Sequence, residues 1–131
     1  MKQLQIVVLL ICLVACSPSD GEIYNTAKTA EKEQNVQLQF ESYKTIVNEF
    51  PNSQYHAEAL FQLGFISNNY TKNFEDAKKY YREFIKKYPQ HELADDAEVE
   101  LQYIGVPIDN LPFLNGSIAT ESEQKEDVQA K

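Results

Sequence analysis

The sequence predicts an all-α protein of about five helices, because apolar residues recur at helical spacing along most of it. Steps of three and four residues place each run on one face of a helix, unlike the alternating pattern of a strand. The helices are predicted near residues 22–34, 35–50, 53–68, 73–88 and 92–104. The runs are Val36, Phe40, Tyr43, Val47 and Phe50; Ala59, Leu63 and Ile66; Phe74, Ala77, Tyr81, Phe84 and Tyr88; and Leu93, Ala97, Leu101 and Ile104.

Turn signals mark where these helices begin and end. Pro51 and Pro89 each follow an aromatic residue that ends a run, and a proline disfavours helix in the residue before it. Asn73 is predicted to cap the fourth helix, because two acidic residues occupy the first turn after it. Ser53 is a candidate cap for the helix that follows Pro51.

The segments around the two prolines repeat at an offset of 38 residues. A period in this range predicts stacked helix pairs, each burying a face against the next, and hence a short α-solenoid. The matching positions are Tyr43, Ile46, Phe50, Pro51, Ala59 and Leu63 with Tyr81, Phe84, Tyr88, Pro89, Ala97 and Leu101.

This pattern resembles the tetratricopeptide repeat (TPR). Small residues at Gly64 and Ala77 stand where the two helices of a pair cross closely in that family. The chain departs from the family at Ser67, a position that is usually aromatic, and by one extra residue between Gly64 and Ala77. The resemblance implies a TPR-like solenoid that binds other proteins and performs no catalysis. The family's remaining pattern positions hold Leu60, Leu63, Tyr81, Phe84 and Pro89.

Residues 1–15 are predicted to be a signal peptide, with a charged start and an apolar core too short to span a bilayer. Its end, Leu13-Val14-Ala15-Cys16, resembles the bacterial lipobox. The resemblance implies cleavage before Cys16, a diacylglyceryl group on its sulfur and an acylated amino terminus, with fatty chains such as palmitate. Residues 16–21 then form the lipidated cysteine and a polar spacer. The alternative is an ordinary signal peptide that happens to contain Cys16.

The lipidated start and the ending from Tyr88-Pro89 to Ala97 look like the BamD-like outer-membrane assembly lipoproteins. This resemblance implies a protein of the cell envelope, anchored in the outer membrane and facing the periplasm. The residue after the lipidated cysteine is Ser17. An aspartate at that position favours retention in the inner membrane, so a serine there favours the outer membrane. The chain has room for two repeats and a final helix, fewer than the roughly three repeats usually needed for stability. A structural subunit of a larger or self-associating complex is therefore the alternative function.

The family's first helices line a groove, and this implies a candidate protein-binding site. Its composition suits an extended or helical peptide with apolar anchors. Phe61 and Phe65 occupy two positions of the family's carboxylate clamp, so capture of a terminal carboxylate is not expected. The alternative is that these two rings are core residues. The groove positions fall on Glu58, Phe61, Phe65, Asn68, Asn69, Asp96, Val99 and Tyr103.

The residues after the last helix divide into two segments. Residues 105–114 are apolar and stiffened by prolines, and they are predicted to pack back as a cap, with Ile108, Leu111 and Phe113 as packing residues. The alternative is that this segment is itself a docking peptide. Residues 115–131 are predicted to be a disordered acidic tail, because they contain too few large apolar residues to pack.

Composition argues against several other functions. The net charge of −8 over 131 residues disfavours nucleic-acid binding. The only cysteines are Cys12, inside the signal, and Cys16, so the mature domain offers no thiol for catalysis or metal binding. His56 and His91 are predicted to be solvated and not to bind metal. We expect no catalytic residues and no cofactor, and no Gly-rich phosphate loop is present.

Overall fold

The computed structural model describes residues 17–111 and contains five α-helices and one 3₁₀ turn within that range. This confirms the predicted all-α, TPR-like fold. Predictions for the signal peptide, for Cys16, for residues 112–114 and for the tail at 115–131 lie outside the described residues. The helices are α1 (Asp20–Lys32), α2 (Val36–Glu49), α3 (His56–Asn69), α4 (Phe74–Lys87) and α5 (Ala94–Tyr103), and the 3₁₀ turn is Ile108–Asn110.

Asparagine caps begin both second helices of the repeat. Asn35 accepts a hydrogen bond from the Leu38 N–H at 3.1 Å, and Asn73 accepts one from the Asp76 N–H at 3.2 Å. The residues before them, Gln34 and Lys72, both adopt a left-handed backbone, with φ of 57° and 55°. The predicted Asn73 cap is therefore confirmed, and the same turn occurs 38 residues earlier.

Helices α3 and α5 begin later than predicted, at residues 56 and 94 instead of 53 and 92. A turn closed by a side chain precedes each of them. The Ser53 hydroxyl accepts a hydrogen bond from the Tyr55 N–H at 3.1 Å, and His91 Nδ1 accepts one from the Leu93 N–H at 3.2 Å. Serine and histidine, again 38 residues apart, thus close equivalent turns, and the helix starts only after each turn is complete.

The chain divides into two compact units, with the boundary after Leu63 inside α3. In the N-terminal unit α1 packs against α2, and in the C-terminal unit α4 packs against α5. The buried apolar residues of the N-terminal unit are Ile23, Ala27, Ala30, Tyr43, Ile46, Ala57, Ala59, Leu60 and Leu63. Those of the C-terminal unit are Ile66, Ala77, Tyr80, Tyr81, Phe84, Ala94 and Ala97.

The buried face of α2 differs from the predicted one. Tyr43 is fully buried as expected, but its buried neighbours are Gln39, Ser42 and Ile46, and the other members of the predicted run are half-buried. The Ser42 hydroxyl donates to the Leu38 carbonyl at 2.7 Å, so its polar group is satisfied within the helix. Apolar spacing alone misplaced this face, because short polar residues with a partner in their own helix are buried at low cost.

The prediction that both histidines are solvated is wrong for His56. Its side chain is 1% exposed, whereas that of His91 is half-buried. His56 is the first residue of α3, directly before the buried Ala57. Because the helix starts here and not at residue 53, His56 belongs to the inward face instead of a solvated turn.

Gly64 provides a close contact within the C-terminal unit. A Cβ atom on Gly64 would lie 2.9 Å from three ring carbons of Tyr81, a fully buried residue of α4. Real Cβ atoms do not approach ring carbons so closely, so the absence of a side chain is what lets this ring lie on α3. The glycine assigned to the helix crossing is thus in contact with the neighbouring helix, and Ala77 nearby on α4 is also fully buried.

Gly64→Ala is expected to destabilise the protein by a net amount on the order of 1 kcal/mol. Overpacking against the buried Tyr81 ring costs about 1–3 kcal/mol, and the better helix propensity of alanine returns up to about 1 kcal/mol. Urea denaturation measures this difference. Gly21→Ala in α1 is the control, because its Cβ would meet Tyr55 at an ordinary 3.9 Å. Equal or greater stability in Gly64→Ala would contradict the contact.

Candidate protein-binding groove

In the N-terminal unit, the predicted groove residue Glu58 is held by two side chains of α1. Its carboxylate accepts a hydrogen bond from the Tyr24 hydroxyl at 2.8 Å and lies 3.8 Å from Lys28 Nζ. Phe61, one turn further along α3, is half-buried. The charge of Glu58 is therefore already partly compensated within the unit, which reduces its value as a free acidic contact.

Sequence reasoning missed the aromatic residues next to Glu58. Tyr24 stacks on Tyr55 with ring centroids 4.1 Å apart, and its edge contacts Tyr43 at 6.4 Å. Burial, followed by the hydrogen bond to Glu58, raises the pKa of Tyr24 to about 12. Tyr24 and Tyr55 are half-buried and belong to no predicted run, and only tertiary packing brings Tyr24 of α1 onto Tyr55 in the turn before α3.

In the C-terminal unit, the structure brings together three predicted groove residues, Asn68, Val99 and Tyr103. They line a depression of about 210 Å³ that we call the C-terminal groove, together with Glu100, Val106 and Leu111. The Asn68 amide donates to the Glu100 carboxylate at 3.4 Å. The groove thus combines apolar and aromatic walls with an amide and a carboxylate.

Burial and the charge of Glu100 together raise the pKa of Tyr81, which remains a neutral phenol at ordinary pH. Glu100 is half-buried and interacts with Asn68 on α3. Sequence reasoning missed this carboxylate, although it follows Val99 directly.

A second depression, of about 200 Å³, adjoins the first at Asn68, Tyr103 and Val106. The Phe74 ring forms part of its wall and lies 3.3 Å from where a Cβ on Gly105 would be. Gly105 has φ of +76°, a conformation that favours glycine. The remaining residues that line this second depression are Asn69, Lys72, Phe74, Gly105 and Pro107.

The other predicted groove residues of the C-terminal unit have different surroundings. Phe65 is half-buried, with its ring edge-on to Tyr70 at 6.2 Å. Asn69 is exposed, and its amide donates to the Phe65 carbonyl at 3.0 Å. Asp96 is exposed on the first turn of α5. Phe65 and Asp96 line neither of the two depressions.

A separate depression of about 340 Å³ lies on α1 and α2 in the N-terminal unit and contains no predicted site residue. Leu38, which is 41% exposed, contributes apolar surface to it. The other lining residues are Pro18, Glu22, Ile23, Thr26, Glu41, Ser42 and Thr45.

Residues 17–111 contain neither a metal-binding cluster nor a membrane-spanning helix. No three side chains of the His, Cys, Asp and Glu types are grouped so as to hold a metal ion. No helix in the same part of the chain is long and apolar enough to cross a membrane.

Comparison with known proteins supports a tetratricopeptide-repeat protein. Residues 58–91 match the family model described as a tetratricopeptide repeat. The matched segment contains most of α3 and all of α4, and it ends at His91. No curated protein and no solved structure matches the chain. A repeat of this family is typical of protein–protein interaction modules.

The raised pKa of Tyr24 predicts a loss of stability at alkaline pH. Since the folded-state pKa is about 12 against an ordinary 10, Tyr24 contributes stability that is complete below pH 10 and is lost as the pH rises through 12. In urea denaturation across that range, Tyr24→Phe is expected to lose stability less steeply than the parent. The loss of stability in Glu58→Gln should be intermediate between those of the parent and Tyr24→Phe, because burial still raises the pKa of Tyr24 when the Glu58 charge is removed. Parallel pH profiles for the parent and Tyr24→Phe would contradict the assignment.

Proposed function

We propose that this protein is a membrane-anchored periplasmic interaction module, held by lipid on Cys16, whose helical-repeat domain binds another protein without catalysis. The observation that carries the binding role is the C-terminal groove, where Asn68, Val99 and Tyr103 meet. Its partner is proposed to be an envelope-assembly component. The BamD-like resemblance behind this last step rests on the sequence pattern alone.

Exposed apolar surface supports a peptide-binding role for the groove. Val99 is 53% exposed and Val106 is 38% exposed, although both border a concave surface. An exposed valine in a concave site gains from contact with another apolar group, and the amide and carboxylate nearby provide directional contacts. An extended or helical peptide with one or two apolar anchors matches this arrangement.

The anchor is proposed to be lipid, since charge would not hold the chain at a membrane. The net charge of −8 opposes binding to anionic headgroups. Each buried methylene contributes about 0.8 kcal/mol, and one acyl chain binds only reversibly, so two or three chains are needed for a lasting anchor. The exposed residues Ser17 to Ser19 then separate the lipid from α1, which begins at Asp20.

Cys16→Ser is expected to abolish incorporation of a radiolabelled or clickable fatty acid into the protein in bacterial cells. Cys12→Ser is the matched control and should keep the label, because Cys12 lies within the segment that is removed. Mass analysis of the mature protein provides the second readout, with the parent heavier than its polypeptide by the lipid. An unmodified Cys16 in the mature parent protein would rule out the proposed anchor.

A photo-reactive phenylalanine analogue at Val99, which lines the C-terminal groove, is expected to give adducts with a second protein when intact cells are irradiated. The same analogue at the exposed Arg82 on α4 is the control and should give no such adduct. Mass spectrometry of the adducts identifies the partner. Adducts with other copies of this chain alone would favour the self-associating structural subunit, and the absence of adducts would count against a docking role.

A further inference from the structure

We propose that the chain's own segment Pro112-Phe113-Leu114 occupies the C-terminal groove, folding back within the same molecule. The inference concerns the groove of the proposed function, and it holds with or without an external partner. It follows from the path of the chain after α5, the residues that come next and the apolar surface left exposed in the groove.

The chain reverses direction after α5 and returns to that helix. Gly105 makes the reversal with its positive φ, and the Val106 N–H donates to the Tyr103 carbonyl at 3.0 Å. A hydrogen bond from the Asn110 N–H to the Pro107 carbonyl, at 2.9 Å, closes the 3₁₀ turn. Leu111 consequently lines the groove beside α5, so the following residues start from inside the site.

The next three residues have the length and composition of a short occupant. Each residue of extended chain spans at most about 3.6 Å, so Leu114 lies within roughly 11 Å of Leu111, about the diameter of one helix. Phe113 and Leu114 are large and apolar, and Pro112 restricts the chain before docking, which lowers the entropy lost on binding. The sequence becomes polar directly afterwards, at Asn115-Gly116-Ser117.

Charge favours these residues over the rest of the tail. Helix α5 carries several carboxylates, and Glu100 lies in the groove itself. Residues 112–114 bear no charge, whereas the tail after residue 120 carries a net negative charge. An uncharged apolar segment therefore enters the groove without repulsion, while the acidic tail is kept in solvent.

The test uses a photo-reactive phenylalanine analogue at position 113 of the mature full-length protein, irradiated at low concentration and analysed by peptide mapping. We expect an adduct within one chain, on the α5 peptide that contains Val99 and Tyr103. The analogue at Val128 is the control and should not label α5. An adduct between two chains would assign the groove to a second copy, and an adduct elsewhere or with another protein would equally overturn the proposal.

A second variant tests whether the apolar contact holds the segment. Val99→Gln is expected to lower the yield of the intrachain adduct about fivefold, the effect of losing contact with one or two methyl groups. Because Val99 is 53% exposed, this change leaves the fold intact, which the unchanged helical circular dichroism would verify. The neighbouring exposed variant Glu98→Gln is the control and should retain the full yield. An unchanged yield in Val99→Gln would overturn the proposal.

Discussion

The missing side chain at Gly64 is the constraint on which the packing of the C-terminal unit depends. The Tyr81 ring occupies the space in which any other residue would place its Cβ, at 2.9 Å. With this ring fixed against α3, the buried α4 residues that surround it, Ala77, Tyr80 and Phe84, share one inward face. The groove depends on that packing, because Asn68 follows Gly64 by one turn on the same helix.

The two copies of the repeat in this chain agree more closely in backbone geometry than in the side chains that produce it. Asn35 and Asn73 cap their helices with nearly the same backbone angles, and the residues before them share a left-handed conformation. Ser53 and His91 have different side chains but accept the same hydrogen bond, from the N–H two residues later. A turn of this kind requires only a side-chain acceptor within hydrogen-bond distance of the N–H two residues later, which a hydroxyl oxygen and an imidazole nitrogen both provide.

The sequence predicts what is determined locally. The five helices, the Asn73 cap and the Gly64 contact are encoded by spacing, proline, asparagine and glycine within a few residues, and the structure agrees on them, apart from the later starts of α3 and α5. The contact of Tyr24 with Glu58 joins residues 34 positions apart, and no periodic pattern contains that information. The face of α2 was misplaced for a related reason, because Ser42 satisfies its hydroxyl within its own helix and so behaves as a small core residue.

A segment tethered beside its own groove changes what a partner must do. In the proposed arrangement, residues 112–114 compete for the groove at an effective concentration on the order of millimolar, because they follow Leu111 directly in the chain. If the segment occupies the groove nine-tenths of the time, an external peptide binds about tenfold more weakly than to the free groove. In the proposed arrangement, a partner that binds the groove more tightly than this segment would displace it. Binding at the groove would then free Phe113 and Leu114 for contact with a further protein.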